Sequence, residues 1–242
     1  MGSTLLAGLG AQPVRSSMQT ATSASREPPS APRCEAKAVS GDVPEPPQLD
    51  LPGWLRPYVV VAVLVAGMWA VEVVDLIPGT EFDRWGVRPR QAEGLVGVVA
   101  SPFLHDGFGH LVSNTVPFLV LGGLIAASGV ARWFRVTAVV AAVAGLGTWL
   151  VGPERTIHIG ASGVVFGYLT YLLARGLFER RLAYLGVGVV VLFLYGGVLW
   201  GLLPRPGVSW QGHLFGAIGG VVAARLFHAR RRGPTPTHSN FG

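Results

Sequence analysis

The sequence predicts an all-α polytopic membrane protein. Three observations lead there: few charged residues, a positive mean hydropathy, and six apolar spans long enough to cross a bilayer. Of 242 residues, 13% are charged and 50% are apolar, with mean hydropathy +0.47. A soluble domain carries about 25% charged residues.

Residues 1–50 are rich in Ser, Pro, Ala and Thr, in stretches such as REPPSAPR and GDVPEPPQLD. They cannot bury enough apolar surface to fold alone and are expected to form a disordered tail. The opening MGSTLLAGLGAQPVRSS has too short an apolar run, and no charged n-region, for a signal peptide. Residues 51–230 are expected to form one six-helix domain, and 231–242 a short basic and polar C-terminal tail.

A helix needs about 20 apolar residues to cross the hydrocarbon core. The first span is Tyr58–Ile77, closed by Pro78-Gly79, and the second runs from Phe108 to Ala127. The third is Trp133–Val151, closed by Gly152-Pro153, and the fourth Ile157–Leu177. The fifth is Leu182–Leu203 and the sixth Val208–Phe227. Within lipid the backbone must satisfy itself, so each is expected to be helical. The long loop Thr80–Ser101 mixes Trp, Arg and a short apolar run, as an interfacial element does.

The net charge of +6 is carried by Arg, with Lys37 the only lysine. The Arg residues lie in loops and tails and form no single patch, which speaks against nucleic acid as a partner and for anionic lipid headgroups. Nine of them (Arg132, Arg135, Arg175, Arg180, Arg181, Arg225, Arg230, Arg231, Arg232) fall on one side. Five (Arg84, Arg88, Arg90, Arg155, Arg205) fall on the other. Positive loops stay inside, so both termini are expected in the cytoplasm. The single cysteine, Cys34, excludes an intrachain disulfide and a Cys-cluster metal site.

With that orientation spans two, four and six run inward, and their polar residues cluster at their outer ends. Span two carries His105, His110 and Asn114, span four Ser162, and span six His213. Ser162 and His213 each stand about five residues into their spans, about 8 Å below the start at 1.5 Å per residue. Polar groups at membrane depth are costly and mark function. Gly160, Gly163 and Gly167 on span four, and Gly212, Gly216 and Gly220 on span six, offer the small-residue spacing that lets helices approach closely. Packing alone would also account for those glycines. Taken singly, Ser162 reads as a helix contact, His213 as an interfacial histidine and Asn114 as interhelical glue. Their common depth and direction is what those plainer readings do not predict. His158, at the membrane edge, and Trp149 and Trp210 read as interfacial residues.

The chemistry implied is nucleophilic. A serine hydroxyl needs a base to take its proton, and His213 can serve when neutral. No Asp or Glu shares that depth in spans two to six, so a dyad is expected in place of a triad. Glu72 and Asp75, near the outer end of span one, read as snorkelling interfacial residues. An oxyanion needs preset donors, and the candidates are the free backbone N–H groups at Ser162 and the side chains of His110 and Asn114.

These residues together resemble the rhomboid intramembrane serine proteases. The GxSG motif of that family is matched by Gly160-Ala161-Ser162-Gly163. Its histidine motif is matched by Gly212-His213 with Gly216 and Gly220, and its second-helix pattern by His110 and Asn114 preceded by His105. The resemblance spans about Leu55 to Arg230. It implies a six-transmembrane-helix bundle, Ser162 as nucleophile, His213 as general base, and His110, Asn114 and the Ser162 amide as oxyanion-stabilising groups. His105, Gly160, Gly163, Phe166, Gly212 and Gly216 would support them. It implies no cofactor and no metal, transmembrane proteins as substrates, and a multi-pass place in a bacterial cell membrane. Two departures stand out. Phe166 occupies a place where many members carry a Tyr that stacks on the histidine, and Arg84-Trp85 reverses a Trp-Arg pair of the first external loop. The alternatives are an inactive rhomboid-like binder of membrane helices, which usually lacks the Ser or the His, and a transporter, which would spread polar residues through the bilayer depth.

Overall fold

The computed structural model describes residues 51–180, 182–194 and 200–228. The expected tails, 1–50 and 231–242, lie outside the described residues. Among the described residues there are seven α-helices, four short 3-10 stretches and no strand beyond one isolated bridge. The α-helices are α1 (Arg56–Asp75), α2 (Gly97–Ala100), α3 (Gly107–Ala126), α4 (Val130–Val151), α5 (Ser162–Glu179), α6 (Leu182–Leu194) and α7 (Trp210–Phe227). By length and composition α1, α3 and α4 are apolar enough to cross a membrane.

Among the described residues each apolar run contains a helix, with its ends set by local chemistry. Asp75 ends α1: its Oδ1 accepts the Phe82 N–H at 3.1 Å and its carbonyl accepts the Thr80 hydroxyl at 3.0 Å. This is a chain-terminating role, distinct from the snorkelling expected of it. Glu72, expected at the interface, is buried at 6% exposure. Gly129, at φ +120°, turns the chain between α3 and α4. The loop after α1 folds into 3-10 turns at Phe82–Trp85, Ala92–Val96 and Ser101–Phe103, the last two continuous with α2.

The largest departure is at the start of α5. An apolar helix from Ile157 is expected, yet the helix begins at Ser162. Residues before it are held otherwise. His158 and Val87 exchange both backbone hydrogen bonds at 2.9 Å, and Gly160 sits at φ +111°, which no helical residue adopts. Ser162 is therefore the first residue of its helix and not the sixth. His213 is the fourth residue of α7, which starts at Trp210. The expected fifth span also differs: its described helix ends at Leu194, and residues 200–202 form a 3-10 turn.

The core is built around α5, which packs against α3, α4, α6 and α7. Its buried Tyr168, Tyr171 and Leu172 meet Phe118, Leu121, Trp133 and Val136 from α3 and α4. The Tyr168 hydroxyl is satisfied by Thr137 at 2.7 Å. The closest pairing is α5 with α7, and it is a backbone contact. A Cβ on Gly216 would fall inside the Gly163 carbonyl, and one on Gly220 inside the Gly167 carbonyl and the Thr170 hydroxyl. Thr170 adds a cross-helix bond to the Ala217 carbonyl at 2.8 Å.

Gly220→Ala must push α7 away from α5, and overpacking of this kind costs about 1–3 kcal/mol. Its thermal unfolding midpoint in detergent is expected to fall clearly below that of the native chain. Gly186→Ala, where an added Cβ meets nothing within 4 Å, is the control and gains from helix propensity. Equal midpoints for the two variants would refute the contact.

Candidate active site

Helix α5 delivers Ser162 at its N-terminus, and α7 delivers His213 one turn into its own. Ser162 Oγ lies 2.7 Å from His213 Nε2. His213 Nδ1 lies 2.7 Å from the Gly201 carbonyl. A carbonyl oxygen only accepts, so Nδ1 carries the proton and donates it. In the neutral ring Nε2 is then the acceptor, turned toward the serine hydroxyl. Gly201 thus holds the tautomer that an acidic side chain would otherwise select. The Phe166 ring stacks on His213 at 4.4 Å between centroids and 13° between planes. The imidazole is clamped in orientation, with exposure of 8%.

His110 and Asn114 stand on α3 and face the same cavity. His110 Nδ1 accepts the Asp106 N–H at 3.3 Å, so the neutral ring carries its proton on Nε2. That nitrogen points at the backbone before the serine: a Cβ on Gly160 would lie 2.8 Å from it and 3.7 Å from Ser162 Oγ. Gly160 is demanded twice, by its positive φ and by this approach. One N–H of the Asn114 amide is spent on the His110 carbonyl at 3.0 Å, and the amide has a second to offer.

His105, expected on the second span, is placed differently. It lies outside the helix, which begins at Gly107, and it is 2% exposed. Its Nε2 accepts the Ala161 N–H at 3.4 Å, and its ring meets His110 edge-on at 5.1 Å. Burial, then the neighbouring His110, pushes its pKa down to about 4. It therefore remains a neutral acceptor for the residue preceding the serine.

His158, expected at the membrane interface, is half-buried and has a partner at each ring nitrogen. Its Nδ1 lies 2.7 Å from Ser209 Oγ and its Nε2 2.9 Å from Thr156 Oγ1. Ser209 caps α7 by accepting the Gly212 N–H at 3.3 Å. Neither this pair nor the Gly201 carbonyl was singled out from sequence. A backbone acceptor leaves no trace in residue identity. The His–Ser pair had one signal, a polar residue four positions before each of Ser162 and His213.

Between these elements opens a cavity of about 1040 Å³ lined by His110, Asn114, Ser162, Phe166, Trp200 and His213, among others. It has room for an extended peptide segment beside the serine.

The Rhomboid domain profile matches residues 92–230. An uncharacterized protein of Mycobacterium tuberculosis is 45% identical over 190 residues, covering 75% of this chain and 79% of that one. Another, from Mycobacterium leprae, is 45% identical over 188 residues, covering 74% of each. A Bacillus subtilis protein named "Putative rhomboid protease YdcA" is 31% identical over 129 residues, 51% of this chain and 62% of its own. The chain belongs to the rhomboid family. Rhomboids are generally serine intramembrane proteases, acting on membrane proteins within a bilayer. Apolar helices agree with that setting here, and the matched region contains His105, His110, Asn114, His158, Ser162, Phe166, Ser209 and His213.

Because the folded His105 binds its proton more weakly than an unfolded histidine, the unfolded state takes up the extra proton between pH 6.5 and about 4. Stability is full above the unfolded value and is lost as pH falls through that window. The unfolding midpoint of the native rhomboid is expected to drop across it, and that of His105→Asn to drop less. Parallel curves would exclude a buried neutral His105.

Proposed function

We propose that this rhomboid is an active serine endopeptidase that cuts peptide bonds in or beside transmembrane segments. The observation that carries the reading is the 2.7 Å contact of Ser162 Oγ with the unprotonated nitrogen of His213, on the wall of a cavity shared with His110 and Asn114. Six membrane spans, with both termini in the cytoplasm and the dyad toward the outer face, are part of the proposal.

In the proposed reaction His213 Nε2 takes the Ser162 hydroxyl proton as Oγ bonds to the scissile carbonyl carbon. The carbonyl electron pair moves onto oxygen. That oxyanion is met by the His110 Nε2–H, the second Asn114 N–H and the Ser162 backbone N–H, which has no partner inside its helix. The C–N bond then breaks, and the leaving nitrogen takes the proton from His213. Water repeats the sequence on the acyl-serine, giving its proton to His213 and returning the hydroxyl to Ser162. The Gly201 carbonyl stabilises the imidazolium formed at each step. A helix hides its peptide bonds, so the substrate segment must unwind to reach the serine.

Reconstitution with a reporter transmembrane substrate tests this. Ser162→Ala and His213→Ala are expected to fold and to cleave nothing measurable. Undiminished cleavage by Ser162→Ala would sink the mechanism. The His110→Ala/Asn114→Ala double variant is expected to lose about 10²–10³-fold in turnover, as the loss of one oxyanion donor does elsewhere. Native turnover in that variant would remove both residues from the oxyanion role.

A further inference from the structure

Two hydrogen bonds of 2.7 Å tie the start of α5 to the start of α7. One is Ser162 to His213. The other lies four residues upstream on both chains, His158 to Ser209, and it has the same sequence separation of 51 residues. The second bond has a defined direction. Thr156 Oγ1 lies 2.7 Å from the Pro153 carbonyl, which can only accept, so the threonine proton is committed there. The Thr156 oxygen must then accept from His158 Nε2–H at 2.9 Å. In the neutral ring that leaves Nδ1 as an acceptor, and the Ser209 hydroxyl donates to it.

Ser209 is fixed at three atoms. Its hydroxyl proton goes to His158, its Oγ accepts the Gly212 N–H, and its carbonyl accepts the His213 N–H at 3.1 Å. The last two bonds form the turn that carries the proposed base. His158 is fixed as well, by its paired backbone bonds to Val87 and by Gly152, where a Cβ would lie 3.0 Å from Nε2. A continuous path thus runs from the external loop through His158 and Ser209 to the residue that must meet Ser162.

We propose that His158 and Ser209 are positioning residues, which set the start of the base helix against the start of the nucleophile helix. Neither exchanges a proton with substrate in this role. The proposal rests on the Ser162–His213 reading given above.

The test uses the full chain in detergent, the labelling rate of Ser162 by a fluorophosphonate, and thermal unfolding of each variant. His158→Asn and His158→Gln are the central pair. Asn places an amide oxygen near Nδ1 and can still accept from Ser209. Gln imitates Nε2 and keeps only the Thr156 side. His158→Asn is expected to label within about threefold of native. His158→Gln and Ser209→Ala should label about tenfold more slowly, inside the roughly hundredfold that a 1 Å misplacement of reacting groups can cost. Ser209→Thr, which keeps hydroxyl and cap, should restore the rate. The His158→Gln/Ser209→Ala double variant should be no slower than its slower parent, since both remove one bond. Equal rates for Asn and Gln, or a double variant slowed by the product of its parents, would overturn the proposal. So would slowing that follows the unfolding midpoint across all variants, as a purely structural role predicts. Absence of labelling in the native chain would instead fail the dyad reading, and this inference with it.

Discussion

The structure depends on a contact made chiefly by backbone. Helices α5 and α7 touch through backbone at Gly163, Gly167, Gly216 and Gly220, closely enough that a methyl group at Gly216 or Gly220 would fall inside a carbonyl of the other helix. Between apolar helices in lipid there is little hydrophobic drive to associate, so close packing and polar bonds must hold them. Side chains of ordinary size would hold the axes 8–10 Å apart. A serine and a histidine on such helices would reach each other only by extending, with their rotamers unfixed. The glycines bring the backbones close, and Ser162 and His213 meet at 2.7 Å.

Close approach alone does not orient an imidazole. His213 is fixed in three directions: by the Gly201 carbonyl at one nitrogen, by Ser162 at the other, and by the Phe166 ring across its face. Phe166 lacks the hydroxyl of a tyrosine. With both ring nitrogens of His213 already engaged, a hydroxyl there would have no nitrogen of that ring left to bond. What Phe166 contributes is the flat stack at 4.4 Å, which needs only the aromatic face. The carbonyl partner matters in the same way. It selects the tautomer, as an aspartate would, without bringing a second buried charge into an apolar layer where charges are expensive.

Much of this was legible in the sequence, and the failures have physical causes. Apolar length located α1, α3 and α4 to within three residues at either end, because in those spans nothing competes with the helix. At Ile157–Ala161 something does. The residues are as apolar as a helix requires, but Val87 offers backbone bonds to His158 and Gly160 takes a positive φ. Tertiary pairing overrode local preference there, and no window of sequence contains both partners. The side chains of the site were legible because chemistry restricts their identity: Ser162, His213, His110 and Asn114 are costly in a membrane unless they have work to do. The acceptors that hold them, such as the Gly201 carbonyl, belong to the backbone and carry no such mark. His158 was visible as a polar residue, but its partner Ser209, 51 residues away, was not.

The early ending of the helical register before Ser162 bears on the chemistry more than on the fold. Had α5 begun at Ile157, the Ser162 N–H would have been spent on a carbonyl one turn earlier, and the serine would have faced a closed helix. Beginning at Ser162 leaves that N–H without an intrahelical partner. It also leaves residues 158–160 extended alongside, where His110 can approach Gly160 without a Cβ in the way. The same break directs His158 toward Ser209. Breaking the helix among packed apolar helices strands backbone groups that must find other partners. Here they are satisfied one by one: His158 by Val87, Gly160 N–H by the Ser101 carbonyl at 2.8 Å, and Ala161 N–H by His105. The loop between α1 and α3, with His105, therefore supports the site even though it supplies no proposed reacting group. It makes it possible for α5 to start late enough to leave the Ser162 N–H without an intrahelical partner.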